Sequence, residues 1–212
     1  MKRIYAIGDI HGCYDRLCRL LARIDIRPSL DTLVFLGDYI DRGPQSYEVI
    51  DLLITLKKQH PGSIFLKGNH EAMFLDYISG NSTIPFINNG GRVTLESYYQ
   101  HAAGADRSTI PKEHLDFINS LVLCHESDDY IFVHAGLRAG IPLEKQSTND
   151  LLWIREPFIS SDTNFGKRVI FGHTPFPEPL VRSEKIGIDT GAVYGNTLTC
   201  IRLPDLTFFS DK

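Results

Sequence analysis

The chain opens on a short apolar run, RIYAIG (Arg3–Gly8), that stops at a glycine followed by Asp9. Leu17, Leu20, Leu21 and Ile24 come next at spacings of three, one and three, the stripe of an amphipathic helix. The alternation then repeats. TLVFLG (Thr32–Gly37) reads as a strand, Val49, Leu52, Leu53 and Leu56 as a helix face, and SIFLKG (Ser63–Gly68) as a third strand. Strands this apolar are buried on both faces, and a helix between each pair supplies the crossover that parallel strands need. The first third therefore predicts a βαβαβ unit.

From about Glu71 to Ser120 the pattern is mostly helical, broken at INNGGR (Ile87–Arg92), with Pro111 in the first turn of a further helix. Beyond it the apolar runs turn β-rich: LVLCHES, YIFVHAG, RVIFGHT, KIGIDTG, TLTCIRL and LTFFS. Asp128-Asp129 and Pro204-Asp205 read as turns between adjacent strands. Neither repeats nor a linker divide the chain. The expected fold class is α/β: a single domain over residues 1–212, with two mixed β-sheets packed as a sandwich and flanked by helices.

Composition adds little to the fold but narrows the function. With 212 residues and 42% apolar side chains the chain can bury one sizeable core. A formal net charge of −4 leaves no basic footprint for nucleic acid or an anionic membrane. No apolar run nears membrane-spanning length, and the opening MKRIYAIGD is too short for a signal peptide. The four cysteines show no CxxC spacing, which suits reduced thiols. These features lead us to expect a soluble, cytoplasmic protein with no nucleic-acid or membrane partner.

The chemistry lies where the strands end. The first three end in Gly8-Asp9-Ile10-His11-Gly12, in Gly37-Asp38-Tyr39-Ile40-Asp41-Arg42-Gly43 and in Gly68-Asn69-His70-Glu71. Two later ones end in His134-Ala135-Gly136 and Gly172-His173-Thr174. Ligands of open α/β sheets sit beyond the carboxyl ends of the strands, so all five clusters face one rim. Oxygen and imidazole donors without thiolate suit divalent ions such as Mn²⁺, Fe²⁺ or Zn²⁺. Asp9 and His11 supply one ion; Asn69, His134 and His173 supply another. Asp38, on the central early strand, is the natural bridge. Two ions about 3.5–4 Å apart share a water, lower its pKa and aim it in line at phosphorus.

The set GDIHG, GDYIDRG, GNHE, HAG and GHT resembles the metal-dependent phosphoprotein phosphatases of the calcineurin-like metallophosphoesterase superfamily, especially the compact bacteriophage lambda type. NNGGR, LLWIRE, FGHTPFPEPL and IDTGAVYGNTLT extend the likeness over nearly the whole chain. The resemblance implies that Asp9, His11 and Asp38 hold the first ion and that Asp38, Asn69, His134 and His173 hold the second, with Mn²⁺ foremost and Fe or Zn also suited. It implies His70 as general acid with Asp41 behind it, and Arg42 and Arg155 as the phosphate grip. Glu71 reads as a structural hydrogen-bonding residue, and Cys13, Tyr98-Tyr99 and Phe208-Phe209 as packing.

The implied substrate is a phosphorylated protein, with serine or threonine phosphate hydrolysed. The same scaffold also serves dinucleoside polyphosphate hydrolases, whose motif is typically GNHD where this chain has GNHE. Calcineurin-like nucleases usually end their last motif in GHxH, where this chain has Pro175. A scaffold without catalysis would show a missing ligand, and none is missing. Around the predicted rim, Tyr14, Tyr39 and Tyr194 are the aromatic side chains available to stack on a base, and Lys67 and Arg138 the extra cations.

Overall fold

The computed structural model describes residues 3–102 and 110–212. Part of the middle stretch read as helical, residues 103–109, lies outside the described residues.

The opening unit forms as the periodicity requires. Strands β1 (Ile4–Ile7), β2 (Thr32–Phe35) and β3 (Ile64–Phe65) run parallel, with helices α1 (Tyr14–Arg23) and α2 (Ser46–Gln59) as crossovers. β9 (Thr199–Leu203) pairs antiparallel with β1, and β10 (Thr207–Ser210) with β9, turning at Pro204-Asp205. The sheet order is β10-β9-β1-β2-β3. The second sheet contains β4 (Cys124–Glu126), β5 (Tyr130–Val133), β6 (Arg168–Phe171), β7 (Leu180–Val181) and β8 (Lys185–Gly187). Its order is β4-β5-β6-β8-β7, parallel through β5, β6 and β8 and antiparallel at both edges. The two-residue β7 carries too short an apolar signal to be read from sequence.

Side-chain alternation makes the layers. Tyr5, Ile7, Leu33 and Phe35 face the helices, packing with Leu17, Leu20, Val49 and Leu53. Their neighbours Ala6, Val34 and Leu36 point the other way and meet Phe132, Ile170 and Ile186 of the second sheet. Ile131, Val133, Val169 and Phe171 cover the outer face of that sheet with Leu151, Ile154 and Phe158. The sandwich and its flanking helices are those expected.

The remaining helices are α3 (Asn69–Ile78), α4 (Ile84–Phe86), α5 (Arg92–His101), α6 (Lys112–Asn119), α7 (Thr148–Trp153) and α8 (Glu156–Ile159). The predicted break at INNGGR is a π-helical turn over Ile87–Gly91, bent where Gly90 adopts φ 102°. Pro111 precedes its helix as the N-cap instead of entering the first turn. Among the described residues, no helix is long and apolar enough to cross a membrane.

Candidate metal centre

The five strand-end clusters meet on one rim of the sandwich. His134 Nδ1 lies 2.8 Å from the Leu36 carbonyl of the other sheet, and Asp9 accepts the His173 backbone N–H at 3.0–3.2 Å. Gly68 and Gly172 permit this closeness: a Cβ on either would drive into the carboxylate of Asp38 or Asp9.

Six described non-glycine residues have positive φ, and five of them are His11, Asp38, Asp41, Arg42 and His173. Left-handed backbone costs an L-residue roughly 1–2 kcal/mol. Such strain persists only where surroundings enforce it, and it concentrates at functional sites. At Asp38 the enforcer is Glu71. Its carboxylate accepts N–H groups from Asp38 at 3.0 Å, Tyr39 at 2.8 Å, Ile40 at 3.3 Å and Gly68 at 2.9 Å. Burial first, and then Asp38's charge, pushes the Glu71 carboxyl up to about 7. We expect Glu71→Ala to strand these buried donors and destabilise the metal-free protein by about 2–4 kcal/mol. Denaturant unfolding measures this, and an unchanged midpoint would contradict the anchoring role.

Two ligand clusters share Asp38. His11, Asp38 and His70 converge in one; Asp38, His134 and His173 in the other. The Asp38 oxygens divide between them: Oδ2 lies 3.5 Å from His11 Nε2, and Oδ1 lies 3.4 Å from His134 Nε2. This is the split expected of a bridging carboxylate. Asn69 Oδ1 joins the second cluster, 3.0 Å from His134 Nε2 and 2.9 Å from His173 Nδ1. Asp9 enters neither cluster. Its oxygens are turned to the His173 amide, and His70 stands in the first cluster beside His11.

The donor chemistry fits cations. A carbonyl cannot donate, so the Ile40 and Leu36 oxygens fix protons on Nδ1 of His11 and His134 and leave each Nε2 facing the centre. Around His134 Nε2 stand only acceptors, the oxygens of Asn69 and Asp38, an arrangement that calls for positive charge. Burial alone would lower the His134 pKa, but the charge of Asp38 outweighs it and pushes it up to about 9. His173 and His11 are held near 3, both by burial first. Without an ion His134 thus carries the positive charge that a cation would replace. Against the opposing pull of burial, its histidine neighbours hold the Asp38 carboxyl low, and that carboxylate with neutral His11 and His173 suits divalent ions. His173 Nε2 and His70 Nε2 are buried without a hydrogen-bond partner.

His70 and Asp41 form a separate device. His70 Nδ1 lies 2.6 Å from Asp41 Oδ2, and Thr94 Oγ1 donates to Asp41 Oδ1 at 2.6 Å while accepting the Asp41 N–H at 2.9 Å. Ser46 Oγ stands 3.1 Å from Thr94 Oγ1 and completes the network. Burial pushes Asp41 up to about 8 and His70 down to about 4. The pair thus keeps one shared acidic proton at neutral pH. With Asp41 donating to Nδ1, the imidazole hydrogen sits on Nε2, the unpartnered atom. Thr94 carries no motif and was not legible in the sequence.

Arg42 donates to His11 Nε2 at 2.6 Å, a lone pair that can serve either the guanidinium or a cation. It lies 5.7 Å from the Tyr194 ring centroid. Arg155 is exposed, forms no ion pair with Glu156, and its charge adds to the burial that lowers the His173 pKa. The flanks differ from the sequence reading. Tyr39 is fully buried, its hydroxyl donating to the Leu66 carbonyl at 2.7 Å, and Arg138 is taken up by Asp150 at 2.5–2.9 Å. Trp153, not singled out before, is 40% exposed with its ring centroid 6.1 Å from that of His173. Tyr194 is 64% exposed on the Arg42 side. Asp189 is also new to the rim. The sequence signal was present, because KIGIDTG ends in the same way as the other clusters.

Comparison with known proteins accords with this geometry. Residues 2–200 match the calcineurin-like phosphoesterase family. The chain is 32% identical over 206 residues to serine/threonine-protein phosphatase 1 of Salmonella typhimurium, covering 95% of this chain and 92% of that one. It is 29% identical over 225 residues to the asymmetrical bis(5'-nucleosyl)-tetraphosphatase PrpE of Bacillus velezensis, covering 94% and 88%. The solved structure of a candidate diadenosine tetraphosphatase superposes with TM-score 0.78 at 24% identity, covering 98% of this chain and 92% of that chain, and so shares the fold.

Proposed function

This chain belongs to the calcineurin-like phosphoesterase family, and from that premise we propose that it is a phosphomonoesterase acting on phosphoserine and phosphothreonine of proteins. The observation that carries the reading is the His70–Asp41 pair with its buried, unpartnered Nε2. A serine or threonine alkoxide is a poor leaving group and needs a proton as it departs. A nucleoside phosphate leaving a phosphoanhydride needs none.

Asp9, His11, Asp38, Asn69, His134 and His173 would hold two divalent ions, for which we propose Mn²⁺. Two such ions supply an activated water and neutralise phosphoryl charge. The chain's own residues do the rest. Arg42 and Arg155 would bind the phosphoryl oxygens, Arg42 steadied by the Tyr194 face. His70 delivers its Nε2 proton to the leaving oxygen while the Asp41 proton passes to Nδ1, so the pair ends one proton poorer. Thr94 then bonds to the Asp41 carboxylate formed. The setting we propose is the cytoplasm, with no nucleic-acid partner.

A second reading, dinucleoside polyphosphate hydrolysis, is favoured by the exposed rings of Trp153 and Tyr194, which give a base a platform on either side of the centre. The similarity to a bis(5'-nucleosyl)-tetraphosphatase points the same way. We expect kcat/KM with Mn²⁺ to be higher for phosphoserine and phosphothreonine peptides than for diadenosine tetraphosphate. The reverse order, with Trp153→Ala and Tyr194→Ala raising KM for the dinucleotide, would replace the first reading by the second.

A further inference from the structure

The five motifs account for five strand ends on the rim, but the structure provides a sixth. β8 lies parallel to β6, with Phe171 opposite Gly187 and the Ile188 N–H donating to the Phe171 carbonyl at 2.9 Å. His173 stands two residues beyond Phe171, and Asp189 two residues beyond Gly187. The two residues therefore stand at equivalent positions just beyond the ends of adjacent parallel strands.

Asp189 also faces the other sheet. A Cβ on Gly8 would strike the Ile188 carbonyl, so the end of β1 presses on the end of β8 and brings Asp9 and Asp189 together across the seam. Asp189 is only 6% exposed. Its Oδ1 accepts the Gly191 N–H at 2.9 Å, and its other oxygen has no hydrogen-bond partner among the described residues. That second oxygen is not sealed from solvent, but three nearly buried carboxylates, Asp189, Asp9 and Asp38, repel one another, and a cation between them would relieve that repulsion.

We propose that Asp189 belongs to the metal centre, as a further anionic oxygen donor to the ion held by Asp9 and His11, directly or through one water. This rests on the two-ion reading above. Oδ1 fixes the carboxylate by holding the turn at Gly191, which would leave the opposite oxygen available to an ion. The added negative charge favours hard, oxygen-preferring ions such as Mn²⁺ over Zn²⁺ on the Asp9 side.

Calorimetric titration of the metal-free full chain with Mn²⁺, and separately with Zn²⁺, tests the assignment. Asp189→Asn keeps an acceptor for the Gly191 N–H and removes only the charge. We expect it to weaken Mn²⁺ binding at one of two sites by about 10-fold or more, and Zn²⁺ binding by less. The unfolding midpoint of the metal-free variant should equal or exceed that of the parent, because Asp189→Asn relieves the repulsion with Asp9 and Asp38. Asp189→Ser, also an acceptor at that turn, should weaken Mn²⁺ likewise and serves if the asparagine variant does not fold. Two Mn²⁺ ions bound by the parent and by either folded variant with unchanged affinities would overturn the proposal. Failure of the parent itself to bind two ions would instead overturn the two-ion reading on which it rests.

Discussion

Asp38→Asn is expected to abolish turnover and to cut bound metal from two ions per chain to one or none. Among the described residues Asp38 alone contributes to both ligand clusters, with Oδ2 turned to His11 and Oδ1 to His134. Asparagine keeps the shape but loses the charge, and only one of its two side-chain heteroatoms can face a cation. Its amide N–H groups would also point at acceptors already crowded around His134. We expect a fall in kcat of at least about 10³-fold, no less than the loss of one preorganised transition-state donor. His60→Asn is the control, because His60 caps the far end of α2, roughly 20 Å of helix from Ser46. Metal content by elemental analysis, alongside turnover after chelation and reconstitution, measures both effects. Full activity of reconstituted Asp38→Asn with two bound ions would end the two-metal account.

What the sequence disclosed here depended on how local the cause was. The βαβαβ unit was readable because period-2 and period-3.6 stripes sit inside single elements, and the core faces of α1 and β2 follow from them. The metal residues were readable because glycine, aspartate and histidine at strand ends leave a signature within a few positions. Asp189 belonged to that pattern. Thr94 did not: it lies in the first turn of α5 and becomes functional only because α5 packs on α2 and the Asp41 turn. Trp153 depended on the same kind of long-range placement, through α7 lying against the rim. The division of ligands was also a matter of packing. Spacing placed Asp9 and His11 together, yet the turn directs Asp9 to the His173 amide and leaves His70 beside His11. Pairwise spacing constrains the backbone of a turn, whereas the neighbour across the seam decides where each oxygen points.

The remaining large effect separates acid catalysis from binding. His70→Asn should lower kcat by about 10²–10⁴-fold on alkyl phosphates, the range of a lost general acid. The same variant should lose far less on aryl phosphates, because a phenolate leaves without protonation. Arg42→Ala should behave differently, weakening binding and turnover for both substrate types, since phosphoryl oxygens are common to both. Asp41→Asn gives a third pattern. An asparagine side chain can still donate to Nδ1, but it holds no proton to pass on, and it strains the bonds with Thr94. It should therefore share the leaving-group dependence of His70→Asn at smaller amplitude. The sign of the pH dependence follows from the pair. Asp41 is pushed up to about 8 by burial, so the acid is present below that pH and is lost as pH rises through it. In the parent, kcat on alkyl phosphates should fall on the alkaline side near that value, and the fall should be weaker on aryl phosphates. Equal losses for His70→Asn across leaving groups of widely different pKa would show that His70 binds or positions the substrate and does not protonate the leaving oxygen.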